Sequence, residues 1–174
     1  SVSAFLLNRS SDLEIEKYSI YTKRVAASGE LLTHDSDQAV LALMKTSTLV
    51  ETDFIPLGVN DSLGDITRAV SETKRNIFPV LDGKKRFQGF VDMTAIRSDM
   101  FRTELYDTRH VNNNMKPAPE FIFEGESMES VMRKFEKSGA WNLPVVKEDF
   151  IYLGFISKSS IFSVYRESIK DVSP

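Results

Sequence analysis

The sequence has no cysteine and only two histidines, His34 and His110. Without thiols there can be no disulfide, no thiolate nucleophile and no cysteine-held metal, and the composition suits a reducing compartment. The two histidines fall in segments expected to be irregular, far apart, and neither has zinc-ligand spacing to a second histidine. Glycine is sparse too. Its eight copies are scattered and form no phosphate-cradling loop. Serines are common, but no partner base is implied beside any of them. The acid pairs Glu124/Glu126 and Glu148/Asp149 fall in expected turns, where exposed carboxylates are ordinary. An enzyme is not expected.

Positive charge is also in short supply. The net charge is −3, and the longest basic run, Lys84-Lys85-Arg86, sits in an expected hairpin turn. A nucleic-acid footprint needs more than this. No apolar run approaches the roughly 20 residues that span a bilayer, and Ala4-Phe5-Leu6-Leu7 is the longest near the start. With 41% apolar residues the chain can still build a core, either as one domain or as two small docked ones.

What the sequence does contain is a stretch written twice. Ile77-Phe78-Pro79-Val80-Leu81-Asp82-Gly83, closed by Gln88-Gly89-Phe90-Val91, returns as Asn142-Leu143-Pro144-Val145-Val146-Lys147-Glu148, closed by Leu153-Gly154-Phe155-Ile156. Pro144 follows Pro79, Gly154 follows Gly89 and Ile161 follows Ile96 by the same interval (144 − 79 = 65). Upstream, Ser62-Leu63 matches Ser127-Met128 in that register. A repeat at fixed offset outranks any single residue as evidence of fold.

Each copy predicts a strand, a helix, a two-stranded hairpin and a closing helix. The first strand is expected over Asp53–Leu57 and, in the second copy, over Glu120–Phe123. Ser62 is expected to cap a helix with Leu63, Ile66, Ala69 and Val70 inward, and Ser127 one with Met128, Val131, Met132 and Phe135 inward, ended by Gly139. Ile77–Leu81 reads as a buried strand, and Thr94 as the cap of a helix through Ile96 and Met100. Gly89 and Gly154, inside strands, predict a close backbone approach, whereas Gly58 reads as a loop glycine.

This pattern resembles the CBS domain, which occurs in tandem pairs: a Pro-Val pair opening a strand, a turn, a glycine before two apolar residues, then a polar cap and a helix. The resemblance covers residues 46–101 and 111–167. Outside it, Ile15, Tyr18, Thr22 and Val25 recur at helical spacing up to Gly29, and Val40, Leu43 and Met44 share a face of a second helix. Ser19-Ile20-Tyr21-Thr22, Gly29-Glu30-Leu31-Leu32-Thr33-His34, Asn76-Ile77-Phe78-Pro79-Val80 and Ile96 to Asp107 resemble the linker and CBS pair of bacterial chloride channels of the CLC family.

The CBS resemblance implies an adenine nucleotide between repeats, a ribose-binding Asp six residues after the motif glycine and a Thr or Ser three residues after it. Here those positions hold Asp92 and Ala95 after Gly89, and Ser157 and Ser160 after Gly154, so neither repeat keeps the ribose Asp. One cleft is expected to be lined by Arg75, Asn76, Ser157 and Ser160. The other would hold Trp141, expected to be mainly a packing residue, with Asp92 repelling phosphate. Any adenine nucleotide is expected to bind weakly.

The expected architecture is α/β, a tandem pair of β-α-β-β-α repeats with pseudo-twofold symmetry: a linker over 1–45, a first repeat over 46–110 and a second over 111–174. By resemblance, the function is that of the cytosolic regulatory and dimerisation domain of a CLC-type chloride channel or transporter. It would lie at the cytoplasmic face of the membrane, joined to a membrane-embedded portion of the same polypeptide, as a homodimer and without nucleic acid. Ile96, Met100, Ile161, Phe162 and Tyr165 are its expected dimer contacts. The alternative is a free-standing or differently attached CBS-pair nucleotide sensor.

Overall fold

The computed structural model describes residues 44–170. The expectations for the linker, including the helix ending at Gly29, lie outside the described residues. The chain runs β1 (Leu57–Gly58), α1 (Leu63–Glu72), β2 (Ile77–Leu81), β3 (Phe87–Asp92) and α2 (Met93–Ile96). It then repeats the order as β4 (Ile122–Phe123), α3 (Met128–Ser138), β5 (Asn142–Val146), β6 (Tyr152–Ser157) and α4 (Lys158–Lys170). Two three-stranded sheets result, ordered β1-β2-β3 and β4-β5-β6, each with one parallel and one antiparallel pairing. The registers match at the offset seen in the sequence: Leu57 pairs with Val80 as Ile122 does with Val145, and Ile77 with Asp92 as Asn142 does with Ser157.

The helices begin where their caps dictate. Ser62 accepts from the Asp65 N–H while the Asp65 carboxylate accepts from the Ser62 N–H, a reciprocal capping box. Leu63, Ile66 and Ala69 then fall on one buried face. Ser127 caps α3 through the Ser130 N–H, and Gly139, at φ 66°, ends it by donating to the Phe135 carbonyl. A left-handed C-cap of this kind is what glycine supplies without steric cost. Three expectations need correction. The outer strands are only two residues long, so Gly58 belongs to β1 rather than to a loop. Asp92, not Thr94, caps α2 by accepting from the Ala95 N–H at 2.8 Å, because it is the residue at the extended end of β3. And α2 is a single turn that dissolves into turns before Met100.

The arrangement of the two repeats follows from two arms. Ahead of β1, residues 46–51 run onto the second repeat. Leu49 lies in the core with Ile122, Met128, Val131, Phe135, Leu143 and Ile156, and Glu51 exchanges both backbone hydrogen bonds with Phe155 of β6 at 2.8 and 3.0 Å. Ahead of β4, Val111 lies in the core with Leu63, Ile66, Phe78, Val80 and Val91, and Lys116 exchanges both bonds with Phe90 of β3. Each arm therefore belongs to the other repeat. Burying a leucine such as Leu49 contributes about 1.5–3 kcal/mol, which the arm brings to a core otherwise built more than 70 residues later.

This exchange explains a proline inside each central strand. Pro79 stands opposite Phe90 and Pro144 opposite Phe155. Phe90 and Phe155 turn both backbone groups outward to the arms, so the missing proline N–H costs no bond to the partner strand. It also explains the strand glycines. A Cβ on Gly89 would stand 2.6 Å from the Lys116 carbonyl oxygen, and one on Gly154 2.5 Å from that of Glu51.

Between the sheets lies a third cluster of Phe54, Phe87, Val146 and Phe155, with Phe121 and Tyr152 against it. Phe54 and Phe155 approach to 4.9 Å between ring centres, and Phe87 meets Phe121 edge-on. The hairpin tips complete the joint. Lys85 and Phe150, both left-handed at φ 61° and 63°, accept across the joint from the N–H groups of Tyr152 and Phe87 respectively. That backbone strain is tolerated because each carbonyl is aimed at the opposite repeat. Of the residues expected at a dimer contact, Ile96 and Ile161 lie in the cores of their own repeats, Tyr165 is buried, and Met100 and Phe162 are half-buried.

Gly89→Val and Gly154→Val each overpack a backbone oxygen and are expected to lower stability by about 1–3 kcal/mol, read as a fall in Tm. Gly83→Val, where nothing lies within 4 Å of an added Cβ, is expected to cost less. Equal shifts in all three variants would contradict the exchanged-arm arrangement.

Candidate functional site

The residues singled out in the sequence sit where β2 and β3, and β5 and β6, end against the arms. Arg75, in the bend between α1 and β2, is half-buried and already engaged. Its Nε donates to Asp53 Oδ2 at 3.0 Å, and Nη2 reaches both Asp53 Oδ1 and Glu51 Oε1, the latter at 3.1 Å. The guanidinium carbon lies 4.5 Å from the centre of the Phe54 ring. Planar, delocalised and weakly hydrated, an arginine suits this double role better than a lysine would. The Asp53 carboxyl is held below its ordinary value of 3.8 mainly by its hydrogen bonds to Arg75, and Arg75 is raised in turn.

Asn76 is exposed, and its carbonyl accepts from the Met93 N–H at 2.9 Å, which ties it to the start of α2 in its own repeat. Ser157 and Ser160 come together at the start of α4. The Ser157 hydroxyl accepts from the Ser160 N–H at 3.0 Å, and the Ser160 hydroxyl donates to the Ser157 carbonyl at 2.9 Å. These hydroxyls satisfy the helix end from within. Arg75 is carried toward them only indirectly, through Glu51, whose backbone pairs with Phe155 two residues before Ser157.

On the other side, Asp92 does not present a bare charge. Its carboxylate pairs with Lys116 and accepts from the Ala95 N–H. Burial pushes the Asp92 carboxyl up, but Lys116 and the backbone N–H outweigh it and hold it below 3.8. Trp141 is 60% exposed rather than packed, with Lys158 Nζ 5.3 Å from its ring centre and its carbonyl accepting from the Lys158 N–H. Glu51, Asp53, Lys116 and Lys158 were missed in the sequence. Glu51 and Lys116 are separated by the repeat interval, so the register alone marked them as equivalent positions of opposite charge.

Two buried oxygens in this region have no protein partner, Glu51 Oε2 and the Tyr152 hydroxyl. Burial raises the Tyr152 hydroxyl well above its ordinary range. No group of three or more metal-ligating side chains occurs among the described residues. Two shallow, open concavities lie instead along α1. One, of about 630 Å³, is bounded by Ser62, Asp65, Arg68 and Tyr106; the other, of about 270 Å³, by Pro56, Asp61 and Glu72.

Residues 109–167 match the CBS domain family model. Solved structures match the fold over most of the chain. A protein of Methanocaldococcus jannaschii is 19% identical, with a TM-score of 0.63, over 71% of this chain and 60% of that one. A CBS domain pair/ACT domain protein of Thermotoga maritima is 20% identical at 0.58, over 72% of this chain and 98% of that one. The CBS domain of a bacterial CNNM/CorC family Mg2+ transporter in complex with ATP is 14% identical at 0.65, over 74% and 92%. No curated protein matches the sequence. The fold is a tandem CBS-domain pair, and its second repeat carries the family signature.

Asp92 supplies a pH test. Its folded carboxyl titrates below the unfolded value, so its contribution is fully present above about pH 4 and is lost as the pH falls through the folded value. Asp92→Asn is expected to flatten the acid side of the stability curve between about pH 4 and pH 2, measured as urea midpoints. An unchanged acid slope in the variant would contradict the Lys116 pairing.

Proposed function

We propose that the chain is the cytosolic regulatory CBS pair of a CLC-type chloride channel or transporter, attached through its N-terminal linker to a membrane-embedded portion of the same polypeptide. It would work as a homodimer at the cytoplasmic face of the membrane, without nucleic acid. The observation that supports a regulatory role is the arm over residues 46–51. It is bonded along β6 and buried in the second core, so a pull on the preceding linker acts on the packing of the two repeats. In such a module a ligand or partner changes that packing and the linker passes the change on. The CLC assignment draws on the linker resemblance and on the sequence Asn76 to Val80. The ATP complex of a Mg2+ transporter's CBS domain supports attachment to a transport protein.

The alternative is a free-standing or differently attached nucleotide sensor. It is favoured by exposed Trp141 with half-buried Lys158 beside it, an aromatic face and a cation side by side. For either reading the nucleotide term is weak. The ribose Asp is missing from both repeats, and Arg75 is neutralised by two carboxylates. A lost charge-assisted hydrogen bond is worth about 1.5–3 kcal/mol.

The encoded region preceding Ser1 tests the attachment: membrane-spanning helices there support it, and a start codon at that point overturns it. Calorimetric titration tests the ligand. ATP, ADP and AMP are expected to bind with Kd above ~100 μM, and Ser160→Asp to tighten binding roughly tenfold or more. Micromolar binding by the unmodified chain would contradict this reading.

A further inference from the structure

The pseudo-twofold breaks at Glu51 and Lys116. Lys116 has its backbone on β3 and its amine on Asp92 at the end of the same strand, so its ion pair closes within one sheet. Glu51 has its backbone on β6 of the second repeat but its carboxylate on Arg75 of the first. Asp53, two residues on, grips the same guanidinium. Among the described residues, the N-terminal arm is fastened to both repeats, whereas the ion pair and backbone bonds of Lys116 reach one.

We propose that Glu51, Asp53 and Arg75 form an ionic latch that pins the N-terminal arm across the two repeats, and that an anion competing for Arg75 releases it. Arg75 can be reached, since 30% of its side chain is exposed. It cannot satisfy an incoming phosphate fully while two carboxylates hold its fork. Glu51 makes the latch responsive. One of its oxygens is buried without a protein partner, so its carboxylate tolerates this position only while Arg75 compensates the charge. Once Arg75 is drawn away, the carboxylate is driven toward water. Its main chain, bonded to Phe155 on both sides, is pulled with it. Asp92 and Lys116 have no such route, since their release would leave both partners on one sheet.

This deepens the regulatory reading by naming a trigger chemistry, an anionic group such as a polyphosphate. The test needs this chain alone and no transporter, so its failure and that of the attachment can be told apart. Hydrogen exchange is followed at the paired amides of Glu51 and Phe155, with Lys116 and Phe90 as the symmetry-related control. Arg75→Gln is expected to speed exchange at Glu51 and Phe155 by about fivefold or more while leaving Lys116 and Phe90 unchanged. Glu51→Gln, which keeps the side-chain volume, is expected to act in the same direction. Tripolyphosphate is expected to speed the Glu51 amide in the unmodified chain beyond sodium chloride of matched ionic strength, and to have no such effect in Arg75→Gln. The latch is overturned if both amide pairs accelerate equally, which is a general loss of stability, or if the Glu51 pair does not respond. Equal effects of tripolyphosphate and chloride overturn the anion trigger.

Discussion

A carbonyl oxygen lies against the middle of a strand at two places, and the layout of the pair depends on those contacts. At Gly89 the oxygen is that of Lys116, and at Gly154 it is that of Glu51. A side chain at either glycine would push the arm away and, with it, the apolar residue the arm delivers to the opposite core. The prolines, the two-residue outer strands and the outward-turned backbones of Phe90 and Phe155 follow from making room for these arms. Two repeats of a size that is marginal alone thus share their cores, through Leu49 in one and Val111 in the other.

The polar chemistry is layered on that symmetric frame and departs from it. The frame places a charged residue on each arm beside the end of a strand. A carboxylate stands at one and an amine at the other, each paired with an opposite charge. One side gathers two carboxylates around an arginine stacked on Phe54. The other neutralises Asp92 and leaves an indole open beside a lysine. A symmetric fold therefore carries two unlike surfaces, which is the condition for a module to respond on one side only.

Most of the fold was legible in the sequence because the repeat interval is set by backbone geometry. Strand glycines, helix caps and buried faces recur wherever the backbone requires them, so Ser62, Ser127, Gly139, Gly89 and Gly154 could be read directly. The site was less legible. Arg75 was read only as lining a cleft, because its partners, Glu51 and Asp53, reach it from an arm whose course depends on the other repeat. Asp92 looked like a phosphate-repelling charge for the same reason, its partner Lys116 lying on the second arm. Trp141 carries no local signal for exposure, since burial of an aromatic is decided by what the neighbouring elements leave uncovered.

The layout requires each arm to serve the opposite repeat, and isotope-edited NOE measurements on the intact chain test it. The exchanged arrangement predicts NOEs from the Leu49 methyls to Ile122, Leu143 and Ile156, and from the Val111 methyls to Ile66, Val80 and Val91. The reverse pattern, with Leu49 against the first core and Val111 against the second, would contradict it.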